Sequence, residues 1–117
     1  MDQPTPTVTR ADVERVVRRD FPSSQYDAVM SILAEYRSDT WHREMHRVHL
    51  AVLKLAASTL DALRQEIETA KCDYRDVLAY AEYPRYSREI GFDDVPASLK
   101  RDVIEDDWRQ YESWLTR

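Results

Sequence analysis

Apolar residues recur in this chain at steps of three and four along most of its length, which is the period of an amphipathic helix. The clearest stripe is Trp41, Met45, Val48, Val52 and Leu55, and it predicts a helix over about 40–57. Before it, Val13, Val16 and Val17 mark the inner face of a helix over roughly 10–20. A second face is formed by Tyr26, Val29, Met30, Leu33 and Tyr36. After the central stripe, Leu60, Leu63, Ile67 and Ala70 predict a fourth helix, and Tyr74, Val77, Leu78 and Ala81 a fifth. A last helix is predicted from Pro96 to about Leu115, with Leu99, Val103, Ile104, Trp108, Tyr111 and Leu115 facing inward.

The polar positions between these stripes supply the boundaries. Thr9 followed by Asp12 has the form of a capping box with Asp in the place of Glu, and Phe21-Pro22 ends the helix it opens. Ser23 or Ser24 caps the second helix, and Ser38-Asp39-Thr40 is a break and a cap. Ser58 caps the fourth helix and Asp73 the fifth, with Asp76 three residues on able to reach back to the backbone. Pro84 marks the exit from the fifth helix, and residues 84–95 read as irregular. Pro96 is preset in φ for a first helical turn. Residues 1–8, with two prolines and no apolar period, read as a flexible arm before one helical domain over 9–117. The fold class expected is therefore all-α: a compact single-domain bundle of about six helices, with short connections that fold neighbours back on one another.

Composition narrows the chemistry. Gly91 is the only glycine in 117 residues and there is no asparagine, so no glycine-rich phosphate loop or dinucleotide-binding turn can be built. The net charge of −5 argues against a general nucleic-acid binder, although arginine is plentiful enough for a local basic patch. The longest apolar run, Leu50 to Leu53, is far short of the roughly 20 residues that span a bilayer. The first seven residues lack the basic and apolar regions of a secretory leader. A single cysteine, Cys72, leaves no intramolecular disulfide, and a cytoplasmic setting is expected.

Several constellations carry possible chemistry. His42, His46 and His49 share one helix, and a pair one turn apart can chelate a transition metal. All three on one ion is harder, since 42 and 49 lie roughly 10 Å apart at about 1.5 Å rise per residue. The row continues into Leu53 and Ala56, which makes it the shoulder of a buried stripe, and packing is the expected role. Asp73, Asp76 and Glu82 gather carboxylates that capping and surface pairing with Arg75 account for without catalysis. Glu105, Asp106 and Asp107 read as a solvated face, and Asp93 and Asp94 as further acids, the latter near the positive end of the last helix. Cys72, beside Lys71 at a helix junction, is expected to be a packed or half-packed thiol. Trp108 and Trp114, six residues apart, are expected to split between core and surface.

The interaction residues proposed from composition are Tyr80, Tyr83, Arg85, Tyr86, Arg88 and Trp114, because interleaved aromatics and arginines give contact area at low entropic cost. The segments Arg47–Ala56 and Asp73–Pro84, the latter reading D-Y-R-D-V-L-A-Y-A-E-Y-P, resemble a group of small bacterial helical proteins. That resemblance covers about 40 central residues; it implies a cytosolic helical protein and brings no activity or catalytic residue with it. The function expected is a non-enzymatic protein–protein interaction module needing no cofactor, acting as a homodimer or as an immunity- or antitoxin-like blocker of a basic partner. The alternative is a metal-dependent or acid–base enzyme built on His42, His46 and His49 with nearby carboxylates.

Overall fold

The central stripe of valines and leucines becomes the axis of the molecule. The computed structural model describes residues 4–37 and 43–117, and every regular element among them is helical. The elements are α1 (Arg10–Asp20), a 3-10 turn (Ser23–Gln25), α2 (Tyr26–Ala34), α3 (Met45–Ala56), α4 (Leu60–Glu82), α5 (Pro84–Glu89) and α6 (Ala97–Thr116). Six consecutive residues of α3, Val48 to Leu53, are buried, so this helix is covered on nearly all sides rather than along one stripe. Its main packing partner is α4, with α1 on another flank.

Each helix begins and ends for a local reason. The Asp12 carboxylate accepts the Thr9 N–H at 2.9 Å, the capping box expected at the start of α1. Phe21, in an extended conformation before Pro22, closes α1 by donating its N–H to the Val17 carbonyl. The hydroxyl of Thr59, one residue after the expected Ser58, caps α4 by accepting the Ala62 N–H. Residues 4–8 form no regular element, yet Pro6 is buried and the Tyr83 hydroxyl donates to the Pro4 carbonyl at 2.5 Å.

Five further expectations change. The fourth and fifth helices run on as one, α4, interrupted at Asp73, whose φ of −154° and ψ of 97° lie outside the helical region. Its carboxylate accepts the Arg75 N–H at 3.0 Å, so Asp73 does cap the second half, and the result is a kink rather than a loop. Residues 84–95 are not wholly irregular, since Pro84 occupies the first turn of α5. Leu99 is exposed instead of inward, standing in the first turn of α6 beyond the reach of the core. Trp108 and Trp114 are both half-buried, and Cys72 is exposed just before the kink. The expected first turn of the third helix, with Trp41, His42 and the Ser38-Asp39-Thr40 break, lies outside the described residues, and α3 itself begins at Met45.

Scarcity of glycine leaves a mark on the backbone. Glu44, Ala57 and Ser58 hold φ values of 53°, 49° and 71°, a region that strains a residue bearing a Cβ. Ala57 sits at the C-terminal cap of α3, where glycine is the usual occupant, and its side chain is exposed. Ala57→Gly should therefore stabilise the protein by about 0.5–1 kcal/mol, seen as a higher urea midpoint at an unchanged slope.

Candidate interaction surface

The short helix α5 is held in place by a residue far away in sequence. Asp107, in the middle of α6 and only 2% exposed, accepts the Arg85 N–H at 3.1 Å and the Tyr86 N–H at 2.8 Å. Its carboxylate is thus the N-terminal cap of α5, where backbone donors lack partners and the helix dipole favours a negative charge. The trio 105–107 is therefore not a uniform solvated face: Glu105 and Asp106 are exposed, while Asp107 turns inward. The Lys54 ammonium, its pKa lowered by burial, feels the Asp107 charge as a compensating pull upward. Arg85 reinforces the junction from outside, donating to Asp106 at 2.5 Å and to Glu89 at 2.8 Å. Gly91, at φ +56°, then reverses the chain, with its N–H donated to the Tyr86 carbonyl at 2.8 Å.

This construction presents an aromatic surface. Tyr80 near the end of α4 is 53% exposed, and Phe92, one residue past the turn, projects entirely into solvent. The two line one groove of about 320 Å³ together with Tyr83, Tyr86 and Asp76. Exposed acids stand along the same segments at Asp76, Glu89, Asp93 and Asp94, and Arg88 is exposed on α5. Of the residues proposed from composition, Tyr80 and Tyr86 meet here. Tyr83 reaches the groove but is buried, its hydroxyl committed to Pro4 and its pKa pushed up to about 12, chiefly by burial. Trp114 takes part in internal packing instead, 5.6 Å from the Tyr111 ring centroid and beneath the Arg19 guanidinium at 5.2 Å. Phe92 was missed because a lone aromatic after glycine carries no periodic signal, and only the turn at Gly91 shows which way it faces.

The histidines and carboxylates separate. His46 and His49 line a cleft with residues of α1 and α2, and His42 lies outside the described residues. Glu82 is 2% exposed and accepts both Arg47 Nη2 and Nε, at 2.6 and 2.7 Å, in a bidentate ion pair. Asp73 pairs with Arg75. Among the described residues, no group of three or more His, Cys, Asp or Glu side chains stands close enough to hold a metal ion. No family model, curated protein or solved structure matches the chain.

Two outcomes follow from these placements. Asp107→Ala should cost about 2 kcal/mol in a urea melt, because it leaves two part-buried backbone donors uncapped. Amide exchange at Arg85 and Tyr86 should accelerate more than in the core of α3. The second concerns His49, 7% exposed and edge-on to Tyr36 at 6.3 Å. Burial lowers its pKa from 6.5 to about 4; backbone acceptors at Tyr36 and Leu33 oppose this shift, and the charges of His46 and Arg37 add to it. As pH falls below 6.5 the unfolded chain takes up the proton first, so stability is lost between pH 6.5 and 4, by on the order of 3 kcal/mol. Urea midpoints across that range should show this slope, and His49→Leu should flatten it between pH 6.5 and 5, where carboxylates contribute least.

Proposed function

We propose that this chain is a protein-binding domain that docks a basic partner segment on the Tyr80–Phe92 surface. The observation that carries this reading is Phe92, a full-sized aromatic ring held entirely in water beside a second exposed aromatic. Among the described residues the exposed large apolar side chains are Tyr80, Phe92 and Leu99, and two of the three share one groove. An apolar group placed so deliberately in solvent marks a contact surface, and aromatic anchors supply most of the energy in such contacts. The acids at 76, 93 and 94 and the net charge of −5 favour a basic partner, whose arginines can lie over the two rings while the acidic rim steers approach. A blocker of a basic protein, of the immunity or antitoxin kind, fits this chemistry. The enzymatic alternative gains no comparable support, because His46 and His49 stand at a different cleft from Asp73, Asp76 and Glu82.

The test uses isotope-labelled protein titrated with two amphipathic helical peptides of equal length, one arginine-rich and one glutamate-rich. The basic peptide should shift amide signals over 76–94, with binding weakened at least ten-fold by Tyr80→Ser combined with Phe92→Ser while the urea midpoint stays unchanged. Equal binding of the acidic peptide, or shifts scattered over the whole molecule, would refute a basic-partner surface. Light scattering separates out self-association: a mass rising above 13.9 kDa with concentration, and abolished by the double variant, would assign the surface to a second copy instead.

A further inference from the structure

The groove beside the exposed aromatics has a composition that narrows what can anchor there. Asp76, Tyr80 and Tyr83 follow one another at steps of four and three, so they lie along one face of the C-terminal half of α4 and its cap. Tyr86 comes to the same groove from α5, and Phe92 from beyond the turn at Gly91. Four aromatic rings and one carboxylate thus line a space of about 320 Å³. That volume stands at the low end for ligand pockets and suits one long side chain rather than a whole cofactor.

Two of the hydroxyls in the groove are spent within the protein. Tyr83 is 3% exposed and its hydroxyl donates to the Pro4 carbonyl. The half-buried Ser87 donates its hydroxyl to the Ala79 carbonyl at 3.2 Å. Asp76, by contrast, is exposed, and among the described residues it forms no ion pair, whereas Asp73 holds Arg75 and Glu89 holds Arg85. The groove therefore meets a ligand with the negative faces of aromatic rings and one free negative charge at their side.

Such a surface attracts cations, and hydrogen-bond accounting selects among them. A lysine ammonium or an arginine guanidinium is ringed with N–H donors, and each donor taken out of water without an acceptor costs free energy. The single carboxylate of Asp76 cannot serve them all. A fully methylated ammonium carries the same charge with no N–H group to satisfy, and its methyl groups pack directly on ring faces.

We infer that this groove is a methylammonium site, an aromatic cage that takes an N-trimethylated lysine of the partner segment. The cationic head lies against Tyr80, Tyr86 and Phe92, Asp76 balances its charge, and Tyr83 closes the inner side. The site belongs to the Tyr80–Phe92 docking surface and rests on that reading, for which it supplies the anchoring side chain.

The probe is one arginine-rich helical peptide with a single central lysine, made in three forms. In the first the lysine is unmodified, in the second it is N-trimethylated, and in the third the trimethylated nitrogen is replaced by carbon, which keeps the shape and removes the charge. Titrated into isotope-labelled protein, the trimethylated form should bind about five-fold tighter or more than either of the others, with its additional shifts at Tyr80, Tyr86 and Phe92. Tyr80→Leu combined with Phe92→Leu keeps apolar area but removes two rings, and should bring the trimethylated and carbon forms to within about two-fold of each other. Asp76→Asn should narrow the same gap. All three positions are exposed, so the fold is not at stake. Equal affinity of the trimethylated and unmodified forms would overturn the site while leaving the docking surface standing. Equal affinity of the trimethylated and carbon forms would overturn it too, making the groove merely apolar, as would a preference that survives the double variant. Absence of shifts over 76–94 with all three forms would overturn the docking surface and the site together.

Discussion

The ion pair between Arg47 and Glu82 fixes the geometry on which the rest of the molecule hangs. It crosses from the first turns of α3 to the last residue of α4, with both charges largely removed from water and both carboxylate oxygens engaged. Such a pair contributes little net stability compared with apolar residues of the same volume, but separating its partners is costly, so it acts as a register pin. The Glu82 side chain has to meet Arg47, which sets where α4 stops. Tyr83 then turns out of the helix, its N–H closing on the Ala79 carbonyl, and Pro84 starts α5 in a new direction. The exposed aromatic surface lies on the two elements meeting at this corner and on the turn that follows.

A chain with one glycine has to close its helices by other means, and here it does so largely across the tertiary structure. The C-terminal carbonyls of α6 are covered from α1: Arg19 donates to Trp114 and Arg15 to Leu115, each at 2.7 Å. The end of α4 is covered by Gln110, which donates to the Glu82 carbonyl, and by Ser87, which donates to that of Ala79. Asp107 does the same for the start of α5. The Tyr36 hydroxyl bridges the segment between α2 and α3, donating to the Arg43 carbonyl and accepting its N–H. Where no such partner serves, the backbone takes up strain at Glu44, Ala57 and Ser58, and the one glycine is placed at the turn after α5. Helix ends closed in this way make each end depend on a second helix, a source of cooperativity that local caps do not provide.

This dependence explains which parts were legible in advance. Core positions such as Val13, Val29, Val52, Leu63, Val77 and Tyr111 declare themselves by period, because burying one face of a helix is a local constraint that repeats with every turn. The Thr9–Asp12 box and the break at Asp73 are equally readable, since donor and acceptor lie within three residues. Asp107 and Glu82 were not readable. Asp107 looks like one more acid in a run of three and Glu82 like an ordinary helix acid, and the role of each depends on a partner more than 20 residues away. The aromatic surface was half legible: composition pointed to Tyr80 and Tyr86 but also to Trp114, and it passed over Phe92.

The sequence by itself determined an all-helical chain, the residues that form its core and most of its helix boundaries. All of these follow from the burial of apolar side chains at helical period and from capping within a single turn. The tertiary structure alone decided which acid turns inward, which aromatic is left in water and which histidine is buried. Those outcomes depend on side chains brought together from distant positions, where a shift of one helix by a single turn would exchange a buried partner for solvent.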